Sequence, residues 1–336
     1  MEAADSRQAA DKKQSSEKLL TISVAGYNVE AFIGHSLEKL CSSSRRDLFE
    51  VLVIDDGGTD GTLSIAEEYH KRFPDVVIPV HKENGGWGST VNTAIQMARG
   101  TYLKLLDGDD YFDPEGLDAF LEALQITNAD LVYTPVAEFD DGTGKCLRLQ
   151  PLAKDYPVNQ DLDMDVLNKD LGITMHGCAF RTQMLREQQV TLTEHCFYAD
   201  FEYLVMGLGA CRRVRFLEKP VYWYRLGREG QSVSMEGRRK HYKDQIRIMK
   251  SIAQYGKEFR LKDSDLSDLI CSYISLYADN TLIVMTELGE REDARKLYRI
   301  LRKQYGDVYR TVRKKAKAYA AADFLPALMY KAKTHM

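Results

Sequence analysis

This 336-residue chain predicts an α/β fold: a doubly wound, mostly parallel sheet with helices on both faces, followed by an all-helical C-terminal region. Three observations carry that prediction. Between residues 19 and 135, short β-branched runs alternate with segments whose apolar residues recur at helical spacing. The runs are almost continuously apolar, as strands buried on both faces are. Beyond residue 236 the strand pattern stops and every segment reads as helix.

Taken in order, Leu19-Leu20-Thr21-Ile22-Ser23-Val24 is the first strand, and Ala25-Gly26-Tyr27-Asn28 turns it into a helix carrying Phe32, Ile33, Leu37 and Leu40. The second strand, Glu50 to Ile54, stops at Asp55-Asp56-Gly57-Gly58-Thr59-Asp60-Gly61-Thr62 and feeds a helix with Leu63, Ile65, Ala66, Tyr69 and Phe73. Val76 to Val80 is a third strand. The glycine-rich loop Asn84-Gly85-Gly86-Trp87-Gly88 then enters a helix carrying Val91, Ala94, Ile95 and Ala98, capped by Gly100. The central strand at 101–106, a helix at 114–126 and a strand at Asp130 to Thr134 complete the alternation. From 136 the pattern loosens. Asp140-Asp141-Gly142-Thr143-Gly144 reads as a hairpin turn, 160–170 as a short acidic helix, and Phe197 to Tyr203 as the start of an apolar helix. The C-terminal helices fall at 236–257, 263–288, 290–318 and 321–333.

Composition narrows the function. A net charge of −4 and a pI near 6.0 give no case for nucleic acid. The six cysteines are scattered with no CxxC pair, as expected of reduced thiols in a cytoplasmic protein. Residues 1–18 are polar with no apolar core, so they read as a disordered tail without a signal peptide. No apolar run is expected to reach the roughly 20 residues that span a bilayer. Gly289 to Lys317 holds eleven Lys/Arg against four Asp/Glu, interleaved with Leu297, Tyr298, Ile300, Leu301, Tyr305 and Tyr309. Such a segment reads as the solvated face of a helical bundle, as a peripheral contact with the inner face of an anionic membrane, or as a homodimer interface.

The chemistry concentrates at strand ends. Leu105-Leu106-Asp107-Gly108-Asp109-Asp110 ends the central strand in three carboxylates around a glycine, and Asp55-Asp56 ends the second. Hard oxygen ligands packed so closely repel unless a cation or proton relieves them, which suits a divalent metal and phosphate. The alternative is a solvated turn into the helix that Asp113-Pro114 begins. Two such ends opening onto one sheet edge favour a ligand. Asp56, Asp60, Gly61 and Glu67 fall at calcium-loop positions, but Gly58 sits where a ligand is needed and a strand precedes, which argues against an EF-hand. Neither a dinucleotide fingerprint after the first strand nor a P-loop is present.

With those pieces in place, residues 20–235 resemble the inverting nucleotide-sugar glycosyltransferases of family 2, which have the GT-A fold and serve bacterial polysaccharide synthesis. The resemblance rests on Ile22-Ser23-Val24 through Tyr27-Asn28-Val29-Glu30, Val51 through Thr62, Asn84-Gly85-Gly86, Asn92, Ala98 through Tyr102, and Leu106 through Asp110. Gly177 through Arg181, Phe197 through Tyr203, and Val221 through Arg225 with Gly230-Gln231-Ser232-Val233-Ser234 extend it. It implies a nucleotide-sugar half at 19–135, an acceptor-side half at 136–235 and a helical region at 236–336. It also implies donor binding by Tyr27, Asp55, Asp56, Gly86, Asn92 and Asp107, and Mn²⁺ or Mg²⁺ held by Asp109 with Asp107 in a D-x-D motif. The donor is expected to be UDP-linked, and the acceptor a saccharide or lipid-linked saccharide.

Asp200 stands where the family carries its catalytic carboxylate, and it serves either as the base or as a helix cap, roles that do not compete. Glu202 is the fallback base. Arg225 pairs with phosphate or forms a structural ion pair, Trp87 shapes the sugar pocket or packs, and His176 reads as a partly buried loop residue. The chain departs from the family at Gly26, usually proline, at Thr90-Val91, usually Ala-Arg, and at Ala199, usually glutamate. The missing arginine leaves open which basic residue meets the diphosphate. Two rival functions remain, a nucleotidyltransferase and a catalytically inactive sugar-nucleotide-binding scaffold.

Overall fold

The computed structural model describes residues 18–150, 156–167, 172–227, 234–262 and 266–306. Four parallel strands form its first half: β1 (Leu20–Gly26), β2 (Phe49–Asp56), β3 (Val77–Lys82) and β4 (Tyr102–Asp107). They are joined by α1 (Glu30–Cys41), α2 (Thr62–Arg72) and α3 (Trp87–Met97). The chain then adds β5 (Tyr111–Phe112), α4 (Pro114–Gln125), β6 (Leu131–Tyr133), β7 (Val136–Asp140), β8 (Cys146–Gln150) and β9 (Asp161–Asp163). Next come β10 (Cys178–Arg181), α5 (Thr182–Glu187), α6 (Asp200–Ala210), β11 (Arg213–Phe216) and β12 (Tyr222–Leu226). The helices α7 (Met235–Lys262), α8 (Ser267–Glu287) and α9 (Arg291–Gln304) close the described chain.

The main sheet runs β3-β2-β1-β4-β10-β6-β11-β9, and β5-β12-β7-β8 form a second, smaller one. β10 lies antiparallel between β4 and β6, so the sheet is mixed where the 136–235 segment joins the first half. Alternation along β2 divides the interior. Val51 and Val53 pack with α1 and α4, whereas Leu52 and Ile54 face α3, α6 and the C-terminal helices. The helical region therefore completes one face of the main sheet, and Ile248, Ile252, Ile270 and Ile274 share a core with Leu103 and Phe180.

Two local expectations change, and others lie outside the described residues. The predicted acidic helix at 160–170 is the edge strand β9 followed by a short 3-10 turn at Met164–Leu167, because Arg213 to Arg215 of β11 offer it a pairing edge. The helices expected at 290–318 and 321–333 are described only as α9, and the rest lies outside the described residues, as do nearly all of the predicted 1–18 tail and most of Gly230 to Ser234. Finally, α8, at 21 residues, is long and apolar enough to cross a membrane. Two thirds of that stretch is instead buried in the protein, and its apolarity is that of a core helix. All six cysteines are free.

Among the described residues, Lys104 is the one lysine in the set of largest fully buried side chains, at 0% exposed in the middle of β4. Its Nζ donates to the carbonyl of His176 at 2.8 Å and lies over the rings of Phe112 and Phe120. Burial lowers its pKa to about 7. A group that holds its proton less well folded than unfolded gives stability that grows as pH rises from about 7 to about 10.5, and loses it as pH falls through 7. Lys104→Met is therefore expected to flatten that rise, which denaturant unfolding at a series of pH values reads directly. A variant with the wild-type slope would contradict the assignment.

Candidate functional site

The strand register places both acidic ends on one edge. Across the sheet Gly26 is paired with Asp55 and Ala25 with Asp107, so the two carboxylate-bearing ends flank the end of β1. This is the carboxyl edge at which open α/β sheets bind their ligands. The loops beyond β1 and β2 are tied together. Asn28, in left-handed backbone at φ 53°, accepts from the Thr59 amide, Asp60 accepts from Glu30 and Thr62 amides, and Glu30 accepts from the Gly61 amide. With Asp60 and Glu30 so engaged, the 56–67 segment is a strand-to-helix turn. Tyr27, at the tip of the first loop, is 55% exposed over the crevice edge.

The paired carboxylates of β2 do different work. Asp55 meets His81 Nδ1 at 2.7 Å and accepts from the Gly58 amide. Asp56 is a clamp: Oδ1 takes Lys82 Nζ at 2.8 Å, the Gly85 amide at 2.9 Å and Ser89 Oγ, while Oδ2 takes the Gly86 amide at 2.7 Å. Gly86 adopts φ 81°, which favours glycine, with the backbone of His195 and Cys196 close by. The glycine loop is thus held between Asp56 and the segment that leads to Asp200.

At the end of β4, Asp107 accepts from Trp87 Nε1 at 2.8 Å and lies 3.7 Å from His176 Nε2. Burial pushes the Asp107 carboxyl up, but hydrogen bonding and charge from His176, with Trp87 and Tyr222, outweigh it and hold the pKa below the usual value. The Tyr222 hydroxyl donates to Asp110 at 2.6 Å and accepts from the Asp107 amide. Asp110 is driven well above the carboxylate range by burial and by the charges of Asp107 and Asp109. Gly108 is needed for space, since a Cβ there would meet the carbonyl of Ala25 at 2.7 Å.

Asp200 is the first residue of α6, and the cap position is Ala199. Its pKa is raised by burial first, with His176 opposing and Asp107 adding to the rise. His176, in the 3-10 turn before β10, packs its ring at 4.9 Å from both Tyr222 and Tyr224. Contacts and charge therefore link Trp87, Asp107, Asp109, Asp110, His176, Tyr222, Tyr224 and Asp200 in one cluster, with Asp110 and Tyr222 buried in its wall.

Other predicted residues stand behind that wall. Arg225 alternates to the opposite face of β12, where it lines a cavity of about 440 Å³ with Phe32, His35, Lys39, Tyr111 and Phe139. Its guanidinium donates to the carbonyl of Asp109 and pairs with Asp141, and its amide donates to Asp110. Asn92 spends both ends of its amide on the 192–194 loop, accepting from the Leu192 amide and donating to the Leu192 carbonyl and Glu194. Glu202 is corrected as a fallback base. It is 1% exposed and its carboxylate is taken by Thr193 and Ser251. His176 is the partly buried loop residue that the sequence predicts, while sequence reasoning assigned no role to Tyr222 or Tyr224. A histidine between two strand segments carries no local pattern, although the tyrosines' alternation with Trp223 and Arg225 was a usable signal.

Among the described residues no three His, Cys, Asp or Glu side chains form a metal cage. The donor set at 107–110 nonetheless fits a hard divalent cation. Three carboxylates crowd one turn, and the Asp110 pKa is raised by burial first and then by the charges of Asp107 and Asp109, a repulsion that a cation would relieve.

Comparison with known proteins bears on this geometry. A family model described as glycosyl transferase family 2 matches residues 21–188. The uncharacterized glycosyltransferase EpsJ of Bacillus subtilis (strain 168) is 37% identical over 114 residues, 34% of this chain and 33% of that protein. The poly(ribitol-phosphate) beta-N-acetylglucosaminyltransferase TarS of Staphylococcus aureus (strain Mu50) is 26% identical over 218 residues, 64% of this chain and 36% of that protein. The matches thus span about a third of these relatives' length. Among solved structures, S. aureus TarS 1-349 in complex with UDP-GlcNAc superposes with a TM-score of 0.58 at 20% identity, covering 89% of this chain and 91% of that one. The mannosyltransferase PcManGT of Pyrobaculum calidifontis, in complex with GDP-Man and Mn²⁺, gives 0.50 at 17% identity, covering 93% and 89%. At such identities the structures establish a shared fold.

Proposed function

The chain belongs to glycosyl transferase family 2, and we propose that it transfers a sugar, with inversion, from a UDP-linked donor to a hydroxyl of a saccharide or lipid-linked saccharide, using Mn²⁺ or Mg²⁺. The observation that carries this reading is the convergence of two acidic strand ends on one sheet edge, with Asp200, its pKa raised, within the electrostatic reach of Asp107 and His176.

In this proposal Tyr27 and Asp55 receive the base and ribose, a carboxylate suiting base N–H and sugar hydroxyl donors. Asp56 and Gly86 shape the donor loop, and Asn92 braces it from behind. Asp109, with Asp107, would hold the cation, which would supply positive charge to the leaving nucleoside diphosphate. Asp107 also turns toward the sugar, oriented by Trp87 and His176, while Arg225 stiffens the acidic turn through the Asp109 carbonyl. Asp200 takes the acceptor proton as the new bond forms, and its raised pKa makes it a stronger base than a solvated aspartate. Displacement from the opposite face of an α-linked donor gives a β product.

The same reading assigns 19–135 to the donor, 136–235 to the acceptor side and 236–336 to helical support. Leu297 and Leu301 of α9 are buried in the core, so only that helix's basic outer face is offered to an anionic membrane, which would suit a cytoplasmic enzyme meeting a lipid-linked acceptor.

TarS was solved with UDP and UDP-GlcNAc, which makes uridine the first nucleotide to test, and PcManGT with GDP-Man makes guanosine the second. Calorimetry of UDP with and without Mn²⁺ should find binding that needs the metal. Asp109→Ala should weaken it by at least about 100-fold. Failure of UDP, GDP and dTDP alike to bind the wild-type protein, with metal or without, would sink the proposal.

A further inference from the structure

The helical C-terminal region reaches the active site through two tyrosines of α8, Tyr273 and Tyr277, which lie one turn apart on one face. Tyr273 grips the segment that leads into His176: its hydroxyl donates to the carbonyl of Ile173 and accepts from the Ile173 amide, both at 3.2 Å. Tyr277 packs its ring 4.6 Å from Phe201, the residue after Asp200. Its hydroxyl is buried with no hydrogen-bond partner. Burying a polar group unpaired is costly, and such groups are otherwise hydrogen-bonded in folded proteins. On the other side of the contact, no side chain among the described residues donates to the Asp200 carboxylate, and the backbone amides of Phe201 and Asp200 only partly offset the rise that burial gives its pKa.

We propose that Tyr277 is a positioning residue for Asp200, its hydroxyl donating to the carboxylate in the working enzyme and holding it toward the acceptor. This rests on the reading of Asp200 as the base. A rotation of the Asp200 carboxylate supplies the partner that the hydroxyl lacks and fixes a carboxylate to which no other side chain among the described residues donates. Burial and then the charge of Asp200 raise the Tyr277 pKa well above that of a free tyrosine, so the phenol stays protonated and able to donate. The helical region would then be part of the catalytic apparatus, bracing His176 through Tyr273 and Asp200 through Tyr277.

The groups that act electrostatically on Asp200 are His176 from the 3-10 turn, Asp107 from β4, Tyr224 from β12, Tyr198 from the preceding loop and Tyr277 from α8. Of these, Tyr277→Phe removes a donor and keeps the ring that packs on Phe201. The deciding measurement is a carbon NMR titration of the full chain carrying ¹³C-carboxyl aspartate, with the Asp200 signal identified by its loss in Asp200→Asn. Loss of a donor to the anion should raise the Asp200 pKa by about half a unit or more in Tyr277→Phe and leave it unchanged in Tyr273→Phe. An Asp200 titration in Tyr277→Phe that superposes on the wild type overturns the inference. A failed base reading looks different: Asp200→Asn would then release UDP from a turned-over UDP-sugar at the wild-type rate, whatever Tyr277→Phe does to the titration.

Discussion

Asp200→Asn should lower turnover by about a thousandfold while leaving UDP affinity within about twofold of wild type. The amide matches the carboxylate in shape and keeps the start of α6 intact, but it cannot accept the proton that leaves the acceptor hydroxyl. The loss falls in kcat because the interaction is made only as the new bond forms. Steady-state rates on a UDP-sugar, beside calorimetry with UDP, separate the two. A variant that turns over normally would return the residue to a helix-start role and revive the inactive-scaffold alternative. The same group sets the pH dependence. Its carboxyl is raised by burial, and the base must be deprotonated, so activity is present at higher pH and lost as pH falls through a value above the ordinary aspartate range of about 3.9. An acid limb at or below that value would show that another group takes the proton.

Asp56→Ala is expected to cost about 3 kcal/mol of stability, a different signature from that of a residue that merely touches ligand. The carboxylate is 3% exposed and joins Lys82, Ser89 and the amides of Gly85 and Gly86. Removing it leaves an ammonium group and two amides short of their acceptor, and that desolvation penalty exceeds the value of any single hydrogen bond. The partial exposure of Lys82, whose side chain is 23% accessible, keeps the figure at the lower end of the buried-pair range. Denaturant unfolding reads the cost, and UDP calorimetry should show weaker binding as the Gly85-Gly86 loop loosens. If stability holds and only nucleotide binding falls, Asp56 is a ligand contact and the clamp is incidental.

Asp56 shows where reading the sequence stopped. A carboxylate at a strand's carboxyl end is visible as a pattern, and the pairing of Gly26 with Asp55 and Ala25 with Asp107 follows from parallel strands in order. Which of two adjacent carboxylates faces a ligand is set by partners such as Lys82 and Gly85, which are brought there by the path of the next strand and loop. Arg225 makes the same point. Its place beside the acidic turn was legible from the motif, but alternation along β12 sends its side chain to the far face, with Phe32 and Phe139 on either side.

The chain's own alphabet determined the parallel α/β half, the acidic strand ends, the D-x-D turn and the place of Asp200 at a helix start, because each is written in contiguous residues with a short-range physical cause. Tertiary structure decided the rest. The antiparallel insertion of β10 carries the turn holding His176 up to Asp107, 69 residues earlier in the chain. The second sheet sets Tyr222 between Asp107 and Asp110. The fold of α8 onto α6 brings Tyr277 against Phe201. Contacts between residues so far apart leave no periodicity or spacing behind, since what joins them is the burial of a shared core and the saturation of polar groups within it.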